Sequence, residues 1–284
     1  MMSSSHSIAR ELHPQRLFAA AAVLLLAAVL TAFAGAARAA NTAWDDIRQE
    51  LYGVEREILP AEGIIALEAP YRALDASTVP ISVTSKIPQD EAYYIRSLTL
   101  IVDENPAPIV GTFHFSPANG IASISTRVRV DAYTNIRAIA ETSDGRLYMA
   151  AEYVKASGGC SAPASSDQEA AIARMGQMRL KQLGDWRSNE LSEAQFMVSH
   201  PNYSGFQQDQ VSHLWIPAHY VRRIELTLGE REILSFDGDI SISENPTFRF
   251  FLKPQGAELL RARVVDSEDK VFEQSWPIEM EPSS

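Results

Sequence analysis

One residue in this chain carries side-chain chemistry that nothing else in it repeats: Cys160, the only cysteine among 284 residues. A single thiol closes no internal disulfide, builds no thiolate metal cluster and forms no Cys-x-x-Cys-His haem attachment. It stands in residues 156–166, which read ASGGCSAPASS. That stretch is small and uncharged, and apart from the cysteine it offers a core little apolar surface. Gly158 and Gly159 relax the backbone and remove side-chain obstruction beside the sulfur. A hydrolase thiol needs a paired base or a helix N-terminus, and no histidine lies close in sequence. The pattern points instead to a thiol on a flexible arm, formed by Ser157, Gly158, Gly159 and Ser161 around Cys160, and offered to another protein's active site. From Val154 to Cys160 such an arm reaches at most about 20 Å. The competing expectation is a small residue packed under a loop, the commoner fate of a free cysteine. The lack of large apolar neighbours favours exposure.

The other candidates are weaker. His200, His213 and His219 would be needed for a zinc set, but their spacing matches no helical His-x-x-x-His pair and no convergent carboxylate is evident. Structural histidines, and no metal, are expected. Asp45/Asp46 and Glu55/Glu57 read as the solvated face of a helix, not as paired acid–base carboxylates. Trp215, Tyr220, Phe248, Phe250 and Trp276 read as core or sheet-face residues. No Gly-x-Gly-x-x-Gly or phosphate-loop spacing occurs, so no cofactor is expected.

The elements that must position the thiol follow from periodicity. Trp44, Ile47, Leu51, Val54 and Ile58 recur every three or four residues and predict a helix over 42–59, stopped by Pro60. From about 78 the period becomes two. Strands are predicted at 78–86, 95–103, 110–116, 121–130, 134–143 and 146–156. Asp144-Gly145 supplies a two-residue hairpin. After the cysteine segment, Ser166 with Glu169 forms a capping-box signature for a short helix that Gly176 would end. Further strands are predicted at 177–183, 194–199, 220–228, 231–236, 247–252, 259–266 and 271–276. The fold class is all-β: two immunoglobulin-like antiparallel sandwiches with an N-terminal helix. The expected order is 42–155 for helix and first sandwich, 156–166 for arm and linker, and 167–284 for the second sandwich.

The first 39 residues read as an export signal. Arg10 and Arg16 precede an apolar run from Leu17 to Ala34, and Ala37-Arg38-Ala39 gives the small-residue spacing of a cleavage site. A cleaved signal places the mature protein in the periplasm, without stable membrane association; the competing reading is a retained anchor, because the run is near the lower limit for a spanning helix. The formal net charge of −11 argues against nucleic acid, whose phosphates demand a basic face. It would also repel a small anion at long range, so a basic surface on a partner protein is expected to be needed to bring the two together.

Several stretches resemble a known family. Gly158-Gly159-Cys160 after Tyr153-Val154-Lys155 resembles the carrier arm of SoxY, the sulfur-substrate carrier of bacterial thiosulfate oxidation. Val102-Asp103-Glu104-Asn105-Pro106, residues 113–117, Ser125-Thr126-Arg127-Val128-Arg129-Val130 and residues 136–141 with Asp144-Gly145 are similar to that subunit too. His200-Pro201-Asn202-Tyr203-Ser204-Gly205, residues 216–221 and residues 244–250 resemble its partner SoxZ. The chain is therefore similar to a fused SoxY–SoxZ carrier, and specifically to single-chain carriers associated with quinoprotein dehydrogenases. The resemblance implies covalent carriage on Cys160, no turnover by the chain itself, and periplasmic redox partners: a Sox-type cytochrome or hydrolase, or a PQQ-dependent dehydrogenase. Here Ser161 follows the cysteine and the chain continues, so the arm is tethered at both ends. The alternative is a non-covalent adaptor that docks onto an exported dehydrogenase or cytochrome, with Cys160 incidental.

Overall fold

The computed structural model describes residues 43–163 and 168–280. The export signal and Ser166 of the capping box lie outside the described residues. Among the described residues helix α1 runs over 43–52, so it stops short of the predicted end at 59. Gly53 ends it by taking a left-handed φ of 71°, a conformation that glycine adopts at helix C-termini without a Cβ penalty.

The rest is β structure. The first half holds β1 (Ile58–Pro60), β2 (Ile65–Glu68), β3 (Val79–Ser85), β4 (Ile95–Val102), β5 (Ile109–Phe115), β6 (Ile124–Val128), β7 (Thr134–Thr142) and β8 (Leu147–Val154). The second holds the short helix α2 (Gln168–Ala173), then β9 (Met178–Leu183), β10 (Ser192–Val198), β11 (Val221–Leu228), β12 (Arg231–Gly238), β13 (Thr247–Leu252), β14 (Leu259–Asp266) and β15 (Val271–Pro277). Strands β3, β6 and β10 alternate strictly between buried and partly exposed positions, the period-two signature of a half-buried strand. The structure adds two strands to those expected. Ile58–Pro60, at the end of the helical pattern, pairs in parallel with β8. Ile65–Glu68 pairs with β3.

The two sandwiches share their sheets. One nine-stranded sheet runs β1-β8-β7-β4-β5-β12-β11-β14-β15, and a six-stranded sheet runs β2-β3-β6-β13-β10-β9. Strand β5 pairs with β12, and β6 with β13. Each half therefore contributes adjacent strands to both sheets, and edges that would otherwise stay unpaired are closed. An aromatic cluster fills the seam. The ring of Phe113 lies 4.5 Å from Phe236 and 4.9 Å from Phe248, and Phe236 lies 4.8 Å from Phe248. Gly111 and Gly238 face each other across the β5–β12 pair. A Cβ at either would strike the Phe236 ring. Polar ties reinforce the seam: the Asn105 amide donates to Ser241 Oγ at 2.9 Å, and the Asn119 amide donates to the Phe251 carbonyl at 2.9 Å.

Candidate functional site: the docked Cys160 segment

The cysteine segment leaves the end of β8 and enters the groove between the halves. It differs from the exposed, flexible arm expected from its composition. Cys160 is fully buried, while Ser157 and Ser161 on either side are exposed. The first half supplies the floor. Gly158 N–H donates to the Asp131 carbonyl at 2.8 Å, Gly159 N–H to the Val130 carbonyl at 3.0 Å, and Cys160 N–H to Asp131 Oδ1 at 3.1 Å. Carbonyls of the segment are taken up as well. Arg129 Nη1 donates to Gly159 O at 3.2 Å, Ser204 Oγ donates to Cys160 O, and Gln207 Nε2 donates to Ala162 O at 2.8 Å.

The two glycines have structural uses beyond mobility. Gly158 takes a φ of 77°, a left-handed conformation costly for other residues. Gly159 packs so closely that a Cβ would overlap the Ala76 carbonyl. Local sequence showed no apolar cover for the thiol because the cover is not local. It comes from residues 129–131 of one half and 202–207 of the other. The sequence reading passed over Arg129, Asp131, Ser204 and Gln207 as site residues. Their only trace was that Arg129 and Ser204 fall inside stretches that carried the family resemblance.

Burial pushes the Cys160 thiol up to about 12, with the Asp131 carboxylate adding to the shift and Arg129 opposing it. The docked thiol is therefore protonated at neutral pH and a poor nucleophile. Arg129 is itself buried. Its Nη2 donates to the Asn202 carbonyl at 3.0 Å, and its Nε finds no acceptor among the described residues. Desolvation lowers its pKa; the Cys160 thiolate, where it forms, and the Glu244 and Asp75 carboxylates oppose that shift.

Asn202 links this dock to a second cluster. His200 and His219 converge on Asp266, all three buried, with candidate ligand atoms within 4.8 Å of one another. The carboxylate not evident in sequence is thus Asp266, brought in by β14. His213, the third histidine considered, is exposed on the 206–216 hairpin and takes no part. His219 Nε2 lies 2.7 Å from Asp266 Oδ2, and His200 Nε2 lies 3.7 Å from the same oxygen. The Asn202 N–H donates to His200 Nδ1 at 3.1 Å. That bond fixes the proton of neutral His200 on Nε2. A metal at Nε2 would require the opposite tautomer, with Nδ1–H facing an acceptor; a donor stands there. Only His219 is bonded to the carboxylate; His200 Nε2 has no hydrogen-bond partner among the described residues, and the donor at its Nδ1 disfavours metal ligation by this ring. Burial, with His219 beside it, pushes His200 down to about 4, while Asp266 opposes the shift. Burial raises Asp266, but hydrogen bonds from His219 and from the Lys270 and Glu268 amides outweigh it and hold the carboxyl below its ordinary value.

Comparison with known proteins connects this geometry to a family. Residues 48–160 match the family model of sulfur oxidation protein SoxY, and residues 181–277 match that of sulphur oxidation protein SoxZ. No curated protein matches the chain. Among solved structures, the sulfur carrier protein SoxY of Chlorobium limicola f thiosulfatophilum is 24% identical, with 41% of this chain and 94% of that one covered and a TM-score of 0.35. A superoxide reductase (neelaredoxin) of Ignicoccus hospitalis is 18% identical, over 32% of this chain and 79% of that one, with a TM-score of 0.30. The SoxY match ends on Cys160 itself, and the residues that cover the thiol from the other side, 202–207, fall within the SoxZ match. The chain belongs to the sulfur-oxidation carrier proteins, with a SoxY domain and a SoxZ domain joined in one polypeptide.

Proposed function

We propose that this protein is an exported covalent carrier that takes a sulfur-containing substrate on Cys160. The observation that carries the reading is the dock: the one thiol ends the SoxY domain and is held by both domains through hydrogen bonds to its backbone. Loading forms an S–S bond between Cys160 Sγ and the terminal sulfur of a sulfur anion. The thiol gives up its proton, and the two electrons released pass to a redox partner, a cytochrome or a quinoprotein. Partner enzymes then process the conjugate, and the chain performs no turnover of its own. A thiol raised to about 12 reacts only when the segment is lifted out of its dock, so loading requires a partner. The carrier works in the periplasm with Sox-type or PQQ-dependent enzymes.

Intact mass of the protein recovered from its native compartment tests this. A reductant-labile mass on Cys160 is expected, and its absence under sulfur-oxidising conditions would count against carriage. Purified protein mixed with thiosulfate alone should gain no mass; full conversion would remove the need for a partner.

The buried thiol also favours a second reading, a non-covalent adaptor in which Cys160 is a packing residue. Under it, Cys160→Ala would leave partner-dependent activity intact. Under the carrier reading, activity is lost.

A further inference from the structure

Large apolar side chains left in water occur on the chain segments that flank the Cys160 segment. Eight of the twelve such residues among the described ones lie at 71, 74, 133, 153, 206, 211, 214 and 215. Tyr71, Leu74, Tyr133 and Tyr153 flank it on the SoxY side. The chain from 71 to 76 runs beside the segment: Lys155 N–H donates to the Tyr71 carbonyl at 2.9 Å, and Gly159 packs on Ala76. Phe206, Val211, Leu214 and Trp215 flank it on the SoxZ side. There Ser161 and Pro163 share one groove with Phe206 and Trp215. Leu74 is wholly exposed, Val211 is 90% exposed and Trp215 65%.

These side chains do not sit on loose loops. The Tyr71 and Tyr153 rings lie 6.4 Å apart, with Lys155 Nζ 4.7 Å from the Tyr71 ring centre. The 206–216 hairpin is closed by a bridge between Gln208 and Trp215. Asp209 Oδ1 accepts from the N–H groups of Val211 and Ser212 at 3.1 and 2.7 Å. A preorganised apolar surface loses little entropy on binding, and contiguous exposed patches mark interaction sites. Tyrosine and tryptophan are the residues that anchor protein interfaces.

The exposed charge around the patch is net acidic. Asp75, Asp131, Glu152 and Asp209 lie along the same segments, against Arg72, Lys155 and the buried Arg129. An anionic bilayer or a nucleic acid would be repelled. We propose that this two-sided collar is the docking surface for a partner protein that presents an apolar cleft rimmed by basic residues. The collar surrounds the dock, so a partner seated on it faces Ser157 and Ser161 and can draw the segment out. The proposal rests on the carrier reading only in placing a reacting thiol at its centre.

The test uses the full chain with Trp215→p-benzoyl-L-phenylalanine for photo-cross-linking in the native compartment. The same group at exposed Leu191, at the other end of β10, is the control. One protein should be captured at 215 and not at 191, with a yield that falls several-fold between low and high salt. The captured protein, purified, should bind Trp215→Ala and Leu74→Ser at least tenfold more weakly than wild type, while thiol accessibility and denaturant midpoint stay unchanged. Cys160→Ser should bind as wild type does. Capture of a second copy of this chain or of lipid, equal capture at 191, or salt-insensitive binding would overturn the proposal. Loss of sulfur loading with undisturbed docking would overturn the carrier reading alone.

Discussion

Two arginines in the SoxY domain, Arg129 buried and Arg137 largely so, are handled in opposite ways. Arg137 on β7 meets Asp103 through three hydrogen bonds of 2.7 to 2.9 Å, with the carboxylate almost wholly buried. Its charge is balanced by a fixed partner. Arg129, just beyond β6, has no carboxylate within salt-bridge distance among the described residues and instead donates to the carbonyls of Gly159 and Asn202. An unbalanced buried charge costs several kcal/mol, and neutral carbonyls return only part of it. The first arrangement holds two strands together. The second holds a backbone segment without giving it a charged handle, and so holds it less firmly. A dock built this way keeps a thiol covered and can still release it.

Gly159→Ala should disturb the dock most. The added methyl has no room beside Ala76, so the segment should leave its dock and the thiol should fall from about 12 toward its ordinary value. Reaction with a disulfide reagent at pH 8 should accelerate by about a hundredfold or more. An unchanged rate would mean that the burial does not control the thiol.

Arg129→Ala should cost about 1 to 2 kcal/mol in denaturant unfolding, because the two buried carbonyls that lose their donors are partly offset by removal of the unbalanced charge, and should also speed thiol modification about tenfold. Asp103→Asn should cost about 2 to 3 kcal/mol by leaving Arg137 poorly compensated, yet leave the thiol rate within about twofold. If both variants expose the thiol equally, the two arginines do the same work and the contrast fails.

Acid should loosen the Arg129 region before the Arg137 region. His200 is held neutral, at about 4 against an ordinary 6.5. The unfolded chain therefore binds a proton that the folded chain refuses. Stability is full above about pH 6.5 and declines as pH falls toward 4, by up to about 3 kcal/mol. Asp266, held below its ordinary value, stays ionised across most of that window. His200 accepts from the amide of Asn202, whose carbonyl receives Arg129. Hydrogen exchange as a function of pH should show residues 199–207 and 156–162 losing protection before β7. Uniform loss would decouple the cluster from the dock. Gln207→Ala should have the smallest effect, about 1 kcal/mol or less, read as a two- to fivefold rise in thiol reactivity.

Much of this was legible in the sequence. The strands from Val79 to Val154 and from Met178 to Pro277 announced themselves by alternation and turn residues, because a half-buried strand records its environment locally. Strands β1 and β2 did not. Ile58–Pro60 continued a helical stripe until Gly53 broke it, and Ile65–Glu68 is too short to show a period. Two sandwiches were legible, but their union through β5–β12 and β6–β13 was not, since edge pairing is set by backbone groups that every residue carries. In the same way Asp266 joined His200 and His219 only once β14 was in place.

The sequence by itself determined the chemistry available: one thiol, two adjacent glycines, an acidic chain and the residue types of a carrier. Only the tertiary structure decided the state of that thiol. A segment of small residues looked exposed because its own side chains could bury nothing. Its cover comes from a distant arginine, aspartate, serine and glutamine acting on backbone carbonyls and amides. Such bonds are indifferent to the identity of the residue they hold, so the segment's sequence bears no mark of them.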